Sequence, residues 1–181
     1  IIEAIDPEKD ADGFHPVNIG RMVVGLEGYL PATPFGIVEL LKRYDIETSG
    51  RECVVIGRSN IVGRPLSILL SRKGTDATVT LVHSRTRDIA SHLRRADIIV
   101  AALGSPGFVT ADMIKQGAVV IDVGTTRVPS PSARSGWKLV GDVDFDNVAP
   151  LCSWITPAPG GVGPMTRVAL LRNTLMAVEL K

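Results

Sequence analysis

Residues 53–65 read Cys53-Val54-Val55-Ile56-Gly57-Arg58-Ser59-Asn60-Ile61-Val62-Gly63-Arg64-Pro65. An aliphatic run stops at a glycine, and a second glycine precedes Arg64-Pro65, where a helix is expected to begin. A strand, a glycine turn and a helix in that order aim free backbone N–H groups and a helix dipole at an anion. Glycine lets the main chain approach a phosphate without a Cβ clash. The position suits a pyrophosphate. The spacing is not Gly-x-Gly-x-x-Gly, so an ordinary tight turn is the other reading of this loop taken alone.

Downstream the same alternation repeats. A helix is expected near 64–73, a strand over 78–83, a short helix near 88–94, and strands over 97–103 and 118–124 separated by a short helix that Thr110 could cap. Continuous apolar strands between amphipathic helices predict an α/β, Rossmann-like, doubly wound and mostly parallel sheet covered on both faces. Residues 129–138 read as an exposed turn and 141–145 as a short element closing the sheet edge. A final helix over 164–181 carries Val168, Leu171, Leu175 and Val178 on one stripe, expected to pack on the core or on an upstream domain. Upstream of the quoted run, Thr33 and Pro34 predict the cap and first turn of a helix over about 34–44, with Ile37, Leu40, Leu41 and Tyr44 on one face. The opening 22 residues, rich in Asp, Pro and Gly, read as loop. Gly50 ends a linker, so the expected division is 1–49, 50–163 and 164–181.

Composition narrows the function classes. Twenty basic and 19 acidic residues nearly cancel, and aromatics make up only 4%, so no basic or stacking platform for nucleic acid is expected. No apolar run reaches the ~18 residues of a membrane span, and the N-terminus has no signal-peptide pattern. Cys53 and Cys152 fit neither a disulfide framework nor a metal site, so no metal is expected and a reducing cytoplasm is the expected setting. The chain starts at Ile1-Ile2 without an initiator methionine, which suggests that sequence precedes it.

Cofactor preference is read from the end of the second strand. An acidic residue there would bind the adenosine ribose hydroxyls and select NAD. This strand ends instead in His83-Ser84-Arg85-Thr86-Arg87, donors suited to a ribose 2′-phosphate that Arg58 could also reach, so NADP is favoured. For Arg85 and Arg87 the alternative is a solvated polar turn; His83 reads as structural or as a phosphate neighbour. The third and fourth strands end in Leu103-Gly104-Ser105 and Asp122-Val123-Gly124-Thr125, expected to flank the nicotinamide half, with Asp122 read as a structural carboxylate.

Three ordered segments carry a longer signal: KDADGFHPVNIG at 9–20, VVIGRSNIVGRP at 54–65 and ITPAPGGVGPMT at 155–166. Together with PATP at 31–34, TVTLVHS at 78–84, VIDVGTTR at 120–127 and LVGDV at 139–143, they resemble the bifunctional methylenetetrahydrofolate dehydrogenase/cyclohydrolase family. The resemblance covers essentially the whole chain. It implies NADP-dependent oxidation of 5,10-methylene-tetrahydrofolate to the methenyl form and hydrolysis to 10-formyl-tetrahydrofolate, within one-carbon metabolism and purine biosynthesis. Residues 1–49 would then be the remnant of a folate-binding α/β domain with its linking helix, and the protein would be a homodimer.

The resemblance also assigns residues. Asp12 would hydrogen-bond the pterin, a task that suits a carboxylate because it accepts from ring N–H and exocyclic amine; an Asx turn before Gly13 is the other reading. Pro159, Gly160 and Gly161 would line the substrate cleft. Gly57, Arg58, Ser59, Ser84, Arg85, Thr125 and Thr166 would contact the cofactor. Two positions depart from the family pattern, Ala32 where Cys is common and Thr125-Thr126 where Ile-Asn is common. The family's catalytic lysine lies in a Tyr-x-x-x-Lys motif, which does not occur in these 181 residues: Tyr29 and Tyr44 are followed four residues on by Thr33 and Thr48. No catalytic residue is therefore assigned within this chain, and the chain alone is expected to bind NADP but catalyse poorly. Another Rossmann dehydrogenase, such as a shikimate or amino-acid type, and a non-catalytic dinucleotide-sensing module are the alternatives. The Asp12 segment and the Pro159–Pro164 loop argue against the first.

Overall fold

The computed structural model describes residues 2–179. Along the chain come α1 (Pro16–Val24), α2 (Ala32–Arg43), β1 (Glu52–Ile56), α3 (Gly63–Ser71), β2 (Thr78–Val82), α4 (Ile89–Arg95), β3 (Ile98–Ala101) and β4 (Val119–Asp122). Then follow β5 (Thr126–Pro129), β6 (Trp137–Val140), α5 (Phe145–Val148), β7 (Trp154–Ile155) and α6 (Val162–Glu179). Five strands form one parallel sheet in the order β2-β1-β3-β4-β7.

The central strands β1, β3 and β4 are apolar on both faces and need cover on both, as a parallel sheet with helices on each side provides. Side chains alternate along β1, so Cys53 and Val55 enter one core with Ile37, Leu41, Leu66 and Leu70 beneath α2 and α3. Val54 and Ile56 enter the other with Leu93, Ile99, Val120 and Val148. Each such fully buried aliphatic side chain contributes about 1.5–3 kcal/mol, so the two half-cores hold the strand ends in fixed register.

Several local expectations change. The opening 22 residues are not all loop: α1 starts at Pro16, with His15 Nδ1 accepting from Val17 N–H at 3.2 Å as its cap. Helix α2 starts two residues before Pro34; Pro31 is its N-cap position and Thr33 lies inside the helix rather than capping it. Thr110 precedes a short 3-10 turn, Ala111–Met113, but its hydroxyl goes to the Asp112 carboxylate instead of a backbone amide. Residues 129–138 include more than a turn, since β5 and β6 pair antiparallel there as a separate hairpin. The sheet edge is closed by β7 and not by residues 141–145, which contribute only the isolated bridge Val109–Val143 and the start of α5.

The last helix turns its other side inward. Val162, Ala169 and Asn173 are its buried residues, while Val168, Leu171, Leu175 and Val178 are exposed. Small Ala169 lets α6 lie close to Phe35 and Ala32 of α2. Gly36 is required at that crossing, because a Cβ there would sit 2.7 Å from the Met165 carbonyl oxygen.

Candidate dinucleotide site

The parallel strands deliver four loops to one edge of the sheet. In the first, Gly57 N–H donates to the Val82 carbonyl at 2.8 Å, tying the end of β1 to β2. Gly57 has φ +111°, and a Cβ on it would lie 2.2 Å from the Ala102 oxygen. Gly63 is tighter: its Cβ would fall 1.8 Å from the Gly57 oxygen. Both glycines thus let the turn fold back on itself, the close approach that a phosphate cradle needs.

The sequence reading had the amides of the helix start facing an anion, and the geometry shifts that by a few residues. Ser59 Oγ accepts from Val62 N–H at 3.1 Å and Gly63 N–H at 3.4 Å, so those donors are spent. The amides of Arg58, Ser59, Asn60 and Ile61 have no hydrogen-bond partner among the described residues. Ser59 keeps its own O–H proton free to donate.

The second loop lies beside the first. His83 N–H donates to Thr86 Oγ1 at 3.0 Å, and Thr86 N–H to the His83 carbonyl at 2.7 Å, which folds 83–86 into a tight turn. Ser84 and Arg85 are exposed on it. Arg58 Nη1 lies 3.5 Å from His83 Nε2, so the guanidinium reaches across from the first loop to the second. Arg58 therefore reaches toward the turn on which Ser84 and Arg85 are exposed, while His83 orders that turn.

The fourth loop opens a cavity of about 310 Å³, walled by Thr125, Pro159, Gly160, Gly161, Thr166 and Asp122 among others. Thr166 Oγ1 is 3.1 Å from Thr33 Oγ1 and also donates to the Val162 carbonyl at 3.3 Å, so its hydroxyl is partly engaged within the helix pair. Asp12 stands outside this wall and is exposed. The buried carboxylate of its segment is Asp10, whose Oδ2 accepts from His15 N–H at 2.7 Å and Asn18 Nδ2 at 2.9 Å. The segment is fastened to α6 by Asn173 Nδ2, which donates to the Ala11 and Leu30 carbonyls at 2.7 and 2.8 Å.

Asp122 accepts N–H from Gly124 and Asp142 at 2.9 Å each and from Val143 at 3.1 Å, so it has the structural partners expected of it. Burial holds its carboxyl above the usual carboxylate range. Asp142, which the sequence did not single out, is fully buried and accepts from Leu103 and Gly104 N–H at 2.6 and 2.9 Å. Among the described residues no group of His, Cys, Asp or Glu is arranged to hold a metal ion. The turn that a Cβ would fill, the unpaired amides and the basic corner fit a phosphorylated dinucleotide.

Comparisons agree with this geometry. Residues 31–181 match the family model described as tetrahydrofolate dehydrogenase/cyclohydrolase, NAD(P)-binding domain. The bifunctional protein FolD of Bacteroides fragilis is 64% identical over 179 residues, covering 98% of this chain and 61% of that protein. The corresponding protein of Flavobacterium johnsoniae is 60% identical, covering all of this chain and 62% of its own length. The chain thus spans about three fifths of these relatives. Among solved structures, the Trypanosoma brucei N5,N10-methylenetetrahydrofolate dehydrogenase-cyclohydrolase, complexed with NADP and an inhibitor, superposes with a TM-score of 0.92. It is 47% identical and covers 98% of this chain and 61% of that one. The Campylobacter jejuni bifunctional enzyme gives 0.91 at 47% identity, covering 99% of this chain and 61% of that one. Shikimate dehydrogenase from Aquifex aeolicus, at 15% identity and a TM-score of 0.55 over 82% of this chain and 56% of that one, shares the fold alone. With a glycine turn, parallel sheet and family match that coincide over residues 31–181, this chain belongs to the tetrahydrofolate dehydrogenase/cyclohydrolase family and contains its NAD(P)-binding domain.

Proposed function

We propose that this chain is the NADP-binding part of a protein that oxidises 5,10-methylene-tetrahydrofolate to 5,10-methenyl-tetrahydrofolate and hydrolyses the product to 10-formyl-tetrahydrofolate. The observation that carries the reading is the reach of Arg58 to the 83–86 turn, which exposes Ser84 and Arg85, beside the unpaired amides of residues 58–61. Ser59 would hold the pyrophosphate by backbone N–H and hydroxyl, with Gly57 leaving room for its approach, and the two arginines with Ser84 would hold the 2′-phosphate by charge-assisted hydrogen bonds. When bound, NADP supplies the hydride acceptor. Thr125, Thr166 and the Pro159–Gly161 loop would wall the nicotinamide and the folate, excluding water and fixing their approach. Asp12 would orient the pterin from the facing segment. Its exposure leaves its carboxylate free to accept, and the relatives' greater length leaves room for a partner surface.

The division into a folate-binding remnant (1–49), a nucleotide domain (50–163) and a terminal helix (164–181) belongs to the same proposal. It is supported by the apolar stripe on α6, which is exposed among the described residues. A cytoplasmic homodimer is proposed on the family's pattern; among the described residues no helix is long and apolar enough to cross a membrane. A catalytic lysine is assigned outside this sequence. The test is to assay NADP-dependent oxidation and methenyl hydrolysis by the 181-residue chain, and by the same chain joined to a segment carrying the family's Tyr-x-x-x-Lys motif. The proposal expects turnover only from the second. Full turnover by the first contradicts the lysine's assigned role, and none from either contradicts the activity.

A further inference from the structure

The third loop, which leaves β3, lies between the phosphate turn and the fourth loop. Ala102 N–H donates to the Ile56 carbonyl at 2.9 Å on one side, and Val123 N–H donates to the Ala101 carbonyl at 2.9 Å on the other. Residues 104–107 are exposed, so burial does not hold the loop. The segment 141–144 does. Gly107 N–H donates to the Gly141 carbonyl at 3.2 Å and Val109 N–H to the Asp142 carbonyl at 3.0 Å, which ties down the limb leading away from the sheet. The limb at the sheet edge is held by a side chain instead: Asp142, fully buried, accepts Leu103 and Gly104 N–H on Oδ2 at 2.6 and 2.9 Å. Its Oδ1, which has no hydrogen-bond partner among the described residues, and its Cγ lie 2.5 Å from where a Cβ on Gly124 would stand. The carboxyl group therefore fills the gap between the third and fourth loops. Its own backbone is fixed too, since Asp142 and Val143 N–H donate to Asp122 at 2.9 and 3.1 Å.

We propose that Asp142 is a positioning residue for the nicotinamide half of the cofactor, holding the third loop where that half crosses the sheet edge without touching the cofactor itself. The inference rests on the dinucleotide reading of the site. A dinucleotide spans the carboxyl ends of the strands with its pyrophosphate at the first glycine turn. On that reading the second loop takes the 2′-phosphate end, so the other half runs over the third loop toward the cavity of about 310 Å³. Without the Asp142 acceptor the Leu103 and Gly104 amides turn to water and the loop samples other positions. Apparent affinity then falls by the fraction of chains in which the loop is in place. A ligand that ends before the third loop is indifferent to that fraction. Adenosine 2′,5′-bisphosphate is such a ligand, because it carries the 2′-phosphate and the adenosine-side phosphate but lacks the nicotinamide half.

The experiment titrates the 181-residue chain, Asp142→Ala and Asp142→Asn with NADP and with adenosine 2′,5′-bisphosphate. Asp142→Ala is expected to weaken NADP roughly tenfold, as the fraction with an ordered loop falls, and to leave the bisphosphate within about twofold of the parent. Asp142→Asn keeps an acceptor for the two amides and is expected to recover most of the NADP affinity. Equal weakening of both ligands, which a general loss of structure would give, overturns the proposal. So does NADP affinity that Asp142→Ala leaves unchanged, or a loss that Asp142→Asn does not relieve. If Asp142→Ala does not fold, the parent decides by NMR of ¹⁵N-labelled protein. The Leu103 and Gly104 amide signals are expected to shift on adding NADP and to stay in place on adding the bisphosphate; signals that ignore NADP, or answer both ligands alike, overturn the role. If neither ligand binds the parent, the dinucleotide reading falls and the positioning role falls with it, whereas binding of both without the expected difference removes the role alone.

Discussion

Gly63 illustrates how much of the site a single residue can decide. A methyl group there would meet the Gly57 oxygen at 1.8 Å, and the obstacle is backbone, which cannot swing aside as a side chain can. Gly63→Ala is expected to cost about 1–3 kcal/mol by overpacking and to weaken nucleotide binding, which denaturant unfolding and a binding titration would both register; an unaltered unfolding midpoint would contradict the close approach. This turn was legible in the sequence because glycine has so few reasons to punctuate an aliphatic strand. Asp142 was not legible. Its partners are backbone amides 38 and 39 residues upstream, which leave no side-chain spacing to read. Ser59 was placed correctly in the loop, but its engagement with the Val62 and Gly63 amides could only come from three-dimensional geometry.

Among the elements, the strands β1, β3 and β4 were readable because a doubly covered parallel strand must be continuously apolar, and the edge strand β2 by its alternation of Thr and aliphatic residues. The helix α1 was hidden because its cap is a histidine, outside the usual Ser, Thr, Asp and Asn set, and only Asn18 and Met22 are buried on it. The strand β7 has two residues, too short for any period, and the β5–β6 hairpin alternates weakly between half-exposed and exposed positions. In α6 the apolar stripe misled because the packing is done by Ala169 and Asn173 instead. Asn173 is 3% exposed and donates to two carbonyls that fasten the N-terminal segment to α6. Asn173→Ala strands both carbonyls and is expected to cost about 1–3 kcal/mol. Hydrogen exchange in residues 11–13 and 30–32 should rise with it; unchanged exchange there would sink the fastening role.

At the scale of the whole molecule, the apolar stripe of α6 faces solvent among the described residues. Leu175 is 66% exposed, so Leu175→Glu should change the stability of this chain by no more than about 0.5 kcal/mol; a larger loss in thermal unfolding would mean the stripe is already buried in solution. The cofactor assignment depends instead on two loops contributed by separate βα units, brought to one corner only by the parallel order of β1 and β2. Titration of the 181-residue chain with NADP and with NAD, repeated with Arg58→Ala and Ser84→Ala, tests that convergence most directly. The expected result is preference for NADP, with each substitution weakening NADP roughly tenfold or more, as loss of a charge-assisted hydrogen bond worth about 1.5–3 kcal/mol implies, while NAD affinity barely moves. Equal affinity for the two nucleotides, or NADP affinity indifferent to both substitutions, would contradict it.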